Sequence, residues 1–232
     1  MINRLISAIY RRLNLYYSST KLLAHDLNDL YYDLKYSIST REWENLSDYP
    51  IILNKDSLAD QFSKDFVDYV PSRYSYIFSA LDSIPVNPSS TTILDVGSGK
   101  GRVLCCALLK GYQKVIGIEI GNHLVDLSRN NLNQIKKGVF RRRVVGDVLL
   151  KNINIEDYDH QDEYNVIFMY NPIRGDVLKK FLDKIPTGRK DIWICYLREK
   201  ADRKLNSSRF HLYKKVHPKI AIYRLNNLTD RT

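Results

Sequence analysis

From Thr91 onward, short apolar runs alternate with segments whose apolar residues recur every three or four positions. The runs at 91–96, 114–119, 140–146, 164–170 and 190–197 have the length and composition of buried strands. Segments 100–110, 122–136 and 175–185 carry helical spacing instead. This βαβ rhythm predicts an α/β fold, a mostly parallel sheet with helices on both faces. Two further apolar runs, Phe210 to Val216 and Lys219 to Leu225, meet around His217-Pro218. So short a connection forces them antiparallel. Seven strands are expected in all, with the antiparallel pair at the C-terminal end.

The first part of the chain has a different pattern. All ten glycines lie at or after Gly97, and residues 1–40 show only helical spacing. Ile2, Leu5, Ile6, Ile9 and Leu13 form one stripe, with Arg4, Arg11 and Arg12 between them. Leu23, Leu27, Leu30 and Leu34 form a second, beside Asp26, Asp29 and Asp33. The expected division is an N-terminal helical extension over 1–66 and an α/β domain over 67–232. Three readings compete for the extension. Its helices pack on the core or on a twin subunit as a homodimer, or the basic helix in residues 1–17 lies on an anionic membrane surface, or it fills a groove on a partner protein. Segment 41–66 has the composition of loop and short helix. Pro71 and the candidate cap Ser72 then open a helix that includes Ile77 to Leu81.

The sharpest chemical signal stands where the first strand meets its helix. Ile93-Leu94-Asp95-Val96 runs into Gly97-Ser98-Gly99-Lys100-Gly101-Arg102, and Val103, Leu104, Ala107 and Leu108 follow at helical spacing. Glycines here let backbone approach a ligand closely, and the new helix offers free N–H groups. The spacing D-x-G-x-G-x-G departs from the dinucleotide G-x-G-x-x-G. Gly101 stands where a phosphate-binding loop of the Walker type needs Ser or Thr for magnesium. A carboxylate at the loop entrance favours a cationic ligand and repels a pyrophosphate.

At Asp95-Val96-Gly97-Ser98-Gly99-Lys100-Gly101-Arg102 the chain resembles the class I S-adenosylmethionine-dependent methyltransferases, in a DxGSGKGR subgroup. The resemblance spans residues 68 to 197. It implies a Rossmann-like domain with S-adenosylmethionine bound by Asp95, Gly97, Ser98, Gly99 and Gly101. Segments before the first strand often cover the cofactor in that family, so Tyr69, Arg73 and Tyr74 are candidate wall residues.

Ligands of open α/β sheets sit beyond the carboxyl ends of the strands. Glu119 follows Val115-Ile116-Gly117-Ile118, placed to accept bonds from both ribose hydroxyls. Asp147 follows Arg143-Val144-Val145-Gly146, placed to take the adenine amino group, with Ile120 and Val148 sandwiching the ring. The fourth strand leads through Tyr170 to Asn171-Pro172-Ile173. This resembles the [DNS]-P-P-[YFW] motif of amine methyltransferases, with Ile173 and Arg174 departing from it. Asn171 is accordingly a candidate both for the cofactor site and, with Tyr170, for the acceptor side. The departures weaken DNA base methylation and leave an amine, foremost a protein lysine, or a hydroxyl of a small molecule or glycan precursor near a membrane.

Charge and cysteine usage adjust this picture. The net charge of +10 is gathered towards the C-terminal end: residues 197–232 carry +7. A nucleic-acid-binding module with an idle or regulatory cofactor site is therefore a third reading. No aromatic-interleaved RNA motif accompanies the charge. Cys105, Cys106 and Cys195 form no C-x-x-C pair and are expected as core thiols of a cytoplasmic protein, peripheral at the membrane if the first helix binds there. His25, His123, His160, His211 and His217 match no metal spacing, and no metal is expected.

Overall fold

A computed structural model describes residues 25–43, 69–137, 144–170, 173, 175–186, 191–197, 205 and 209–225. Residues 25–36 are helical (α1). Then follow α2 (Tyr74–Leu81), β1 (Thr92–Val96), α3 (Arg102–Leu109), β2 (Lys114–Glu119) and α4 (Asn122–Lys137). The chain continues through β3 (Asp147–Asn152), β4 (Val166–Met169), α5 (Gly175–Asp183), β5 (Trp193–Leu197), β6 (Phe210–His217) and β7 (Ile220–Leu225).

The strands form one seven-stranded sheet in the order β3-β2-β1-β4-β5-β7-β6. The first five strands pair in parallel, and β7 runs antiparallel to both β5 and β6. Period-two alternation sends Ile93, Val115, Val166 and Phe168 to a core beneath α2, α3 and α4. Leu94, Val96, Ile116, Ile167 and Met169 face the opposite core, closed by α5. Near-continuous burial of β1, β2, β4 and β5 is the mark of strands covered on both faces. All three cysteines are buried and unpaired by disulfide. Among the described residues no helix is long and apolar enough to cross a membrane.

Two expectations are corrected. Of the expected strand 140–146, residues 140–143 lie outside the described residues and 144–146 are not strand; the third strand is Asp147–Asn152. Gly146, at φ +147, breaks the extended path, and only beyond it does the chain pair with β2. Asp147 thus sits opposite Lys114, at the amino end of the sheet, and Asn152 sits opposite Glu119. Six residues at ~3.3 Å each place Asp147 roughly 17 Å from the ligand edge. It cannot reach an adenine bound there, and Val148 packs on the core instead.

The second correction concerns α1. Leu27 and Leu34 are 56% and 70% exposed, whereas Asp29 and Asp33 are buried. The helix therefore turns its acidic face inward, because buried partners for those carboxylates await it on α2 and α3. The stripe of residues 2–13, Leu23 and the basic helix of residues 1–17 lie outside the described residues. Ser72 does not cap α2; Arg73 occupies that position without a side-chain bond.

Candidate functional site

The loop after β1 is docked on the tip of β2. The amides of Gly97 and Ser98 both donate to the Ile118 carbonyl at 3.0 Å, and Gly101 closes the turn onto the Ser98 carbonyl at 2.8 Å. Gly99 and Gly101 adopt φ of +52 and +79, where side chains are strained. A β-carbon on Gly99 would also collide with the Tyr69 ring, and one on Gly101 with the Ser128 hydroxyl of α4. Gly101→Ala is accordingly expected to cost about 1–2 kcal/mol of stability, read by thermal denaturation. An unchanged melting temperature would show that α4 simply gives way.

Glu119 closes the loop from the other side. Its Oε2 accepts from the Gly99 amide at 2.8 Å and its Oε1 from the Gly121 amide at 2.9 Å. Burial raises its pKa, against the lowering effect of those backbone donors and of the Ile120 amide. Asp95 is 3% exposed. Burial first, and the neighbouring Glu119 charge second, push it well above the ordinary carboxylate range. The Ser98 hydroxyl is buried and, among the described residues, unpartnered. Two buried carboxyls and one unpartnered hydroxyl thus stand at adjacent strand tips. Ile120 is buried beside them.

Asn152, which the sequence pattern hid behind Asp147, takes the carboxyl end of β3. Its amide donates to the carbonyls of Glu119 and Ile120, each at 3.0 Å. It fixes the backbone of Glu119 and Ile120 at the end of β2. Reading Gly146 as a strand start would have revealed it.

Lys100 and Arg102 of the loop do not point towards a ligand. Arg102 is 2% exposed and reaches back to the N-terminal elements. Its Nη1 donates to Asp29 Oδ2 at 2.8 Å and to the Ser72 carbonyl at 2.7 Å, and its Nε to Thr40 Oγ1 at 2.7 Å. Its guanidinium lies over the Tyr74 ring, 4.5 Å from the centroid. Tyr74 and Thr40 both donate to Asp33 Oδ1, at 2.6 and 2.7 Å. Lys100 donates to the Glu42 carbonyl at 3.1 Å. Asn131 of α4 bonds the Ser39 amide and carbonyl and the Lys100 carbonyl. Segment 38–42 is thereby strapped onto the glycine loop. Tyr69 lies against Gly99, its hydroxyl donating to the Thr40 carbonyl at 2.6 Å. Of the three candidate wall residues, Tyr69 meets the loop and Tyr74 is fully buried in the polar network.

A cavity of about 320 Å³ opens at the same sheet edge beyond β4, β5 and the start of β7. Tyr170 and Leu197 line it from the strand ends, Lys219 from the β6–β7 turn, and Arg73 and Tyr76 from α2 and its cap. Tyr170 therefore stands where the sequence pattern placed it, beyond β4. Asn171 lies outside the described residues. Ile173 is buried and turns away from solvent.

No protein-family model matches the chain. A ribosomal protein L11 methyltransferase from Aquifex aeolicus (strain VF5) is 33% identical over 92 residues. That match covers 39% of this chain, and the chain spans only 35% of the relative's length. Among solved structures, yhhF from Escherichia coli, described as a methyltransferase, superposes with a TM-score of 0.54 at 17% identity. It covers 68% of this chain and 88% of its own. A Haemophilus influenzae protein described as a methylase gives 0.50 at 17% identity, covering 65% and 97%. The seven-stranded sheet with its antiparallel end is thus the fold of methyltransferases.

Proposed function

We propose that this chain is an S-adenosylmethionine-dependent methyltransferase, with the cofactor held at the tips of β1 and β2. The observation that carries the reading is the pair of buried carboxyls, Asp95 and Glu119, flanking a left-handed glycine loop. A buried carboxylate without a counter-ion is costly, and a cationic ligand offsets that cost. Asp95 would hold the ammonium end. The Glu119 carboxylate, already engaged by the Gly99 and Gly121 amides, retains lone pairs for a ribose hydroxyl. Ile120 offers an apolar wall for the purine, and Asn152 takes the place first assigned to Asp147.

When bound, the cofactor supplies a methyl group activated on a positively charged sulfur. What the chain itself must then do is hold the acceptor in line and exclude water. Tyr170 at the exit of β4 serves the acceptor side in this reading, with Asn171 beside it in sequence. The cavity beside Tyr170 is lined by Arg41, Arg73 and Lys219, so a lysine side chain would enter it against like charge and would have to lose its proton before accepting a methyl group.

Calorimetric titration tests the cofactor. S-adenosylhomocysteine is expected to bind and NAD to give no signal. Binding of NAD alone would overturn the reading.

A further inference from the structure

The cavity beyond β4 and β5 has an unusual balance of charge. Asp29 lines it but is neutralised from behind by Arg102, and its other oxygen accepts the Tyr74 amide at 3.1 Å. Asp26 is then the single uncompensated acid on the wall. Against it stand Arg41, Arg73 and Lys219. None of these three is paired with a carboxylate among the described residues, although Lys110, Arg129, Lys151 and Arg224 elsewhere all are. Three cations around a concave site, without a carboxylate partner among the described residues, repel one another unless an anion enters. Tyr76 and Tyr170 supply aromatic surface beside them, and the Tyr76 ring is propped by His217, with centroids 4.9 Å apart.

We propose that this cavity binds an anionic group of the methyl acceptor, a carboxylate or a phosphate, with an adjoining planar group lying against Tyr76 and Tyr170. The inference rests on the methyltransferase reading for the word acceptor, but the anion site itself does not. Its place fits the role: β4 neighbours β1 in the sheet, so the cavity lies roughly 10 Å, two strand spacings, from the cofactor tips. Its volume suits one ring with a charged substituent.

Calorimetry on the full chain saturated with S-adenosylhomocysteine, using phenyl phosphate, benzoate and benzylamine as probes, tests this. At least one of the two anions is expected to bind, and benzylamine to give no heat. The double variant Arg41→Gln/Lys219→Gln, altering two exposed residues, should weaken anion binding at least tenfold, while Lys219→Arg retains it. S-adenosylhomocysteine affinity should stay unchanged in all of them. Anions binding no better than benzylamine, or equally well to the double variant, would overturn the proposal. A parent chain that binds phenyl phosphate but not S-adenosylhomocysteine would instead remove the cofactor reading and leave the anion site standing. Displacement of phenyl phosphate by a single-stranded oligoribonucleotide would assign the anion to nucleic acid; its persistence would assign it to a small molecule.

Discussion

Arg102→Met is expected to destabilise the fold by about 3–5 kcal/mol, the range for removing one partner of a buried ion pair. The methionine fills much of the volume, so the loss is chiefly polar. Asp29 is left as a buried charge without its counter-ion, and the Ser72 carbonyl and Thr40 hydroxyl each lose a donor. For a domain of this size the melting temperature should fall by about 10 °C. Arg102→Lys should also lose stability, because one ammonium on a flexible stem cannot reproduce a fork that spans three acceptors. Hydrogen exchange locates the effect: amides of 25–43 should exchange faster, with those of β4 and β5 protected until global unfolding. Combining Arg102→Met with Asp29→Asn should cost less than the sum of the single changes, since the orphaned charge is gone. A melting temperature equal to the parent's would show that the network adds nothing net to stability.

The same residues show what a linear sequence can carry. The unit β1–loop–α3 was legible because each of its signals is local: an apolar run, three spaced glycines and then helical periodicity. Glu119 was legible for the same reason, as an acid closing an apolar strand. The third strand was misplaced because Val144-Val145 resembles a strand more than Leu149-Leu150-Lys151-Asn152 does. The deciding feature was the Gly146 backbone, which the residue type permits but does not announce. Helix α1 was turned the wrong way because a leucine stripe outweighs aspartates under any hydropathy argument. Asp29 and Asp33 are four apart and so share a face. Their partner Arg102 lies 73 residues from Asp29, beyond the reach of local pattern. The cationic cavity had no sequence signature at all, since Arg41, Arg73 and Lys219 come from three elements that only the fold assembles.

Asp95→Asn should separate stability from function in opposite directions. Burial and the neighbouring Glu119 raise the carboxyl's pKa in the native state. Between its ordinary value near 3.9 and that raised value, the native chain holds a proton that the unfolded chain has lost. The contribution of Asp95 therefore lowers stability as pH rises through this window, and above the raised value the native state bears the full cost. Asparagine keeps the shape without the charge, so the variant should gain stability over the parent as pH rises through this window, with a flatter pH dependence. Ligand binding runs the other way. A cationic cofactor binds the ionised form, so affinity for S-adenosylhomocysteine in the parent should rise with pH through the raised pKa and then level. The variant should lose about 3 kcal/mol of binding, roughly 100-fold, and its affinity should no longer follow that rise. Denaturation curves and calorimetry on one pair of proteins across pH 5 to 9 read both effects. A variant that gains stability yet binds as tightly as the parent would place the ammonium away from β1 and leave Glu119 as the anchor.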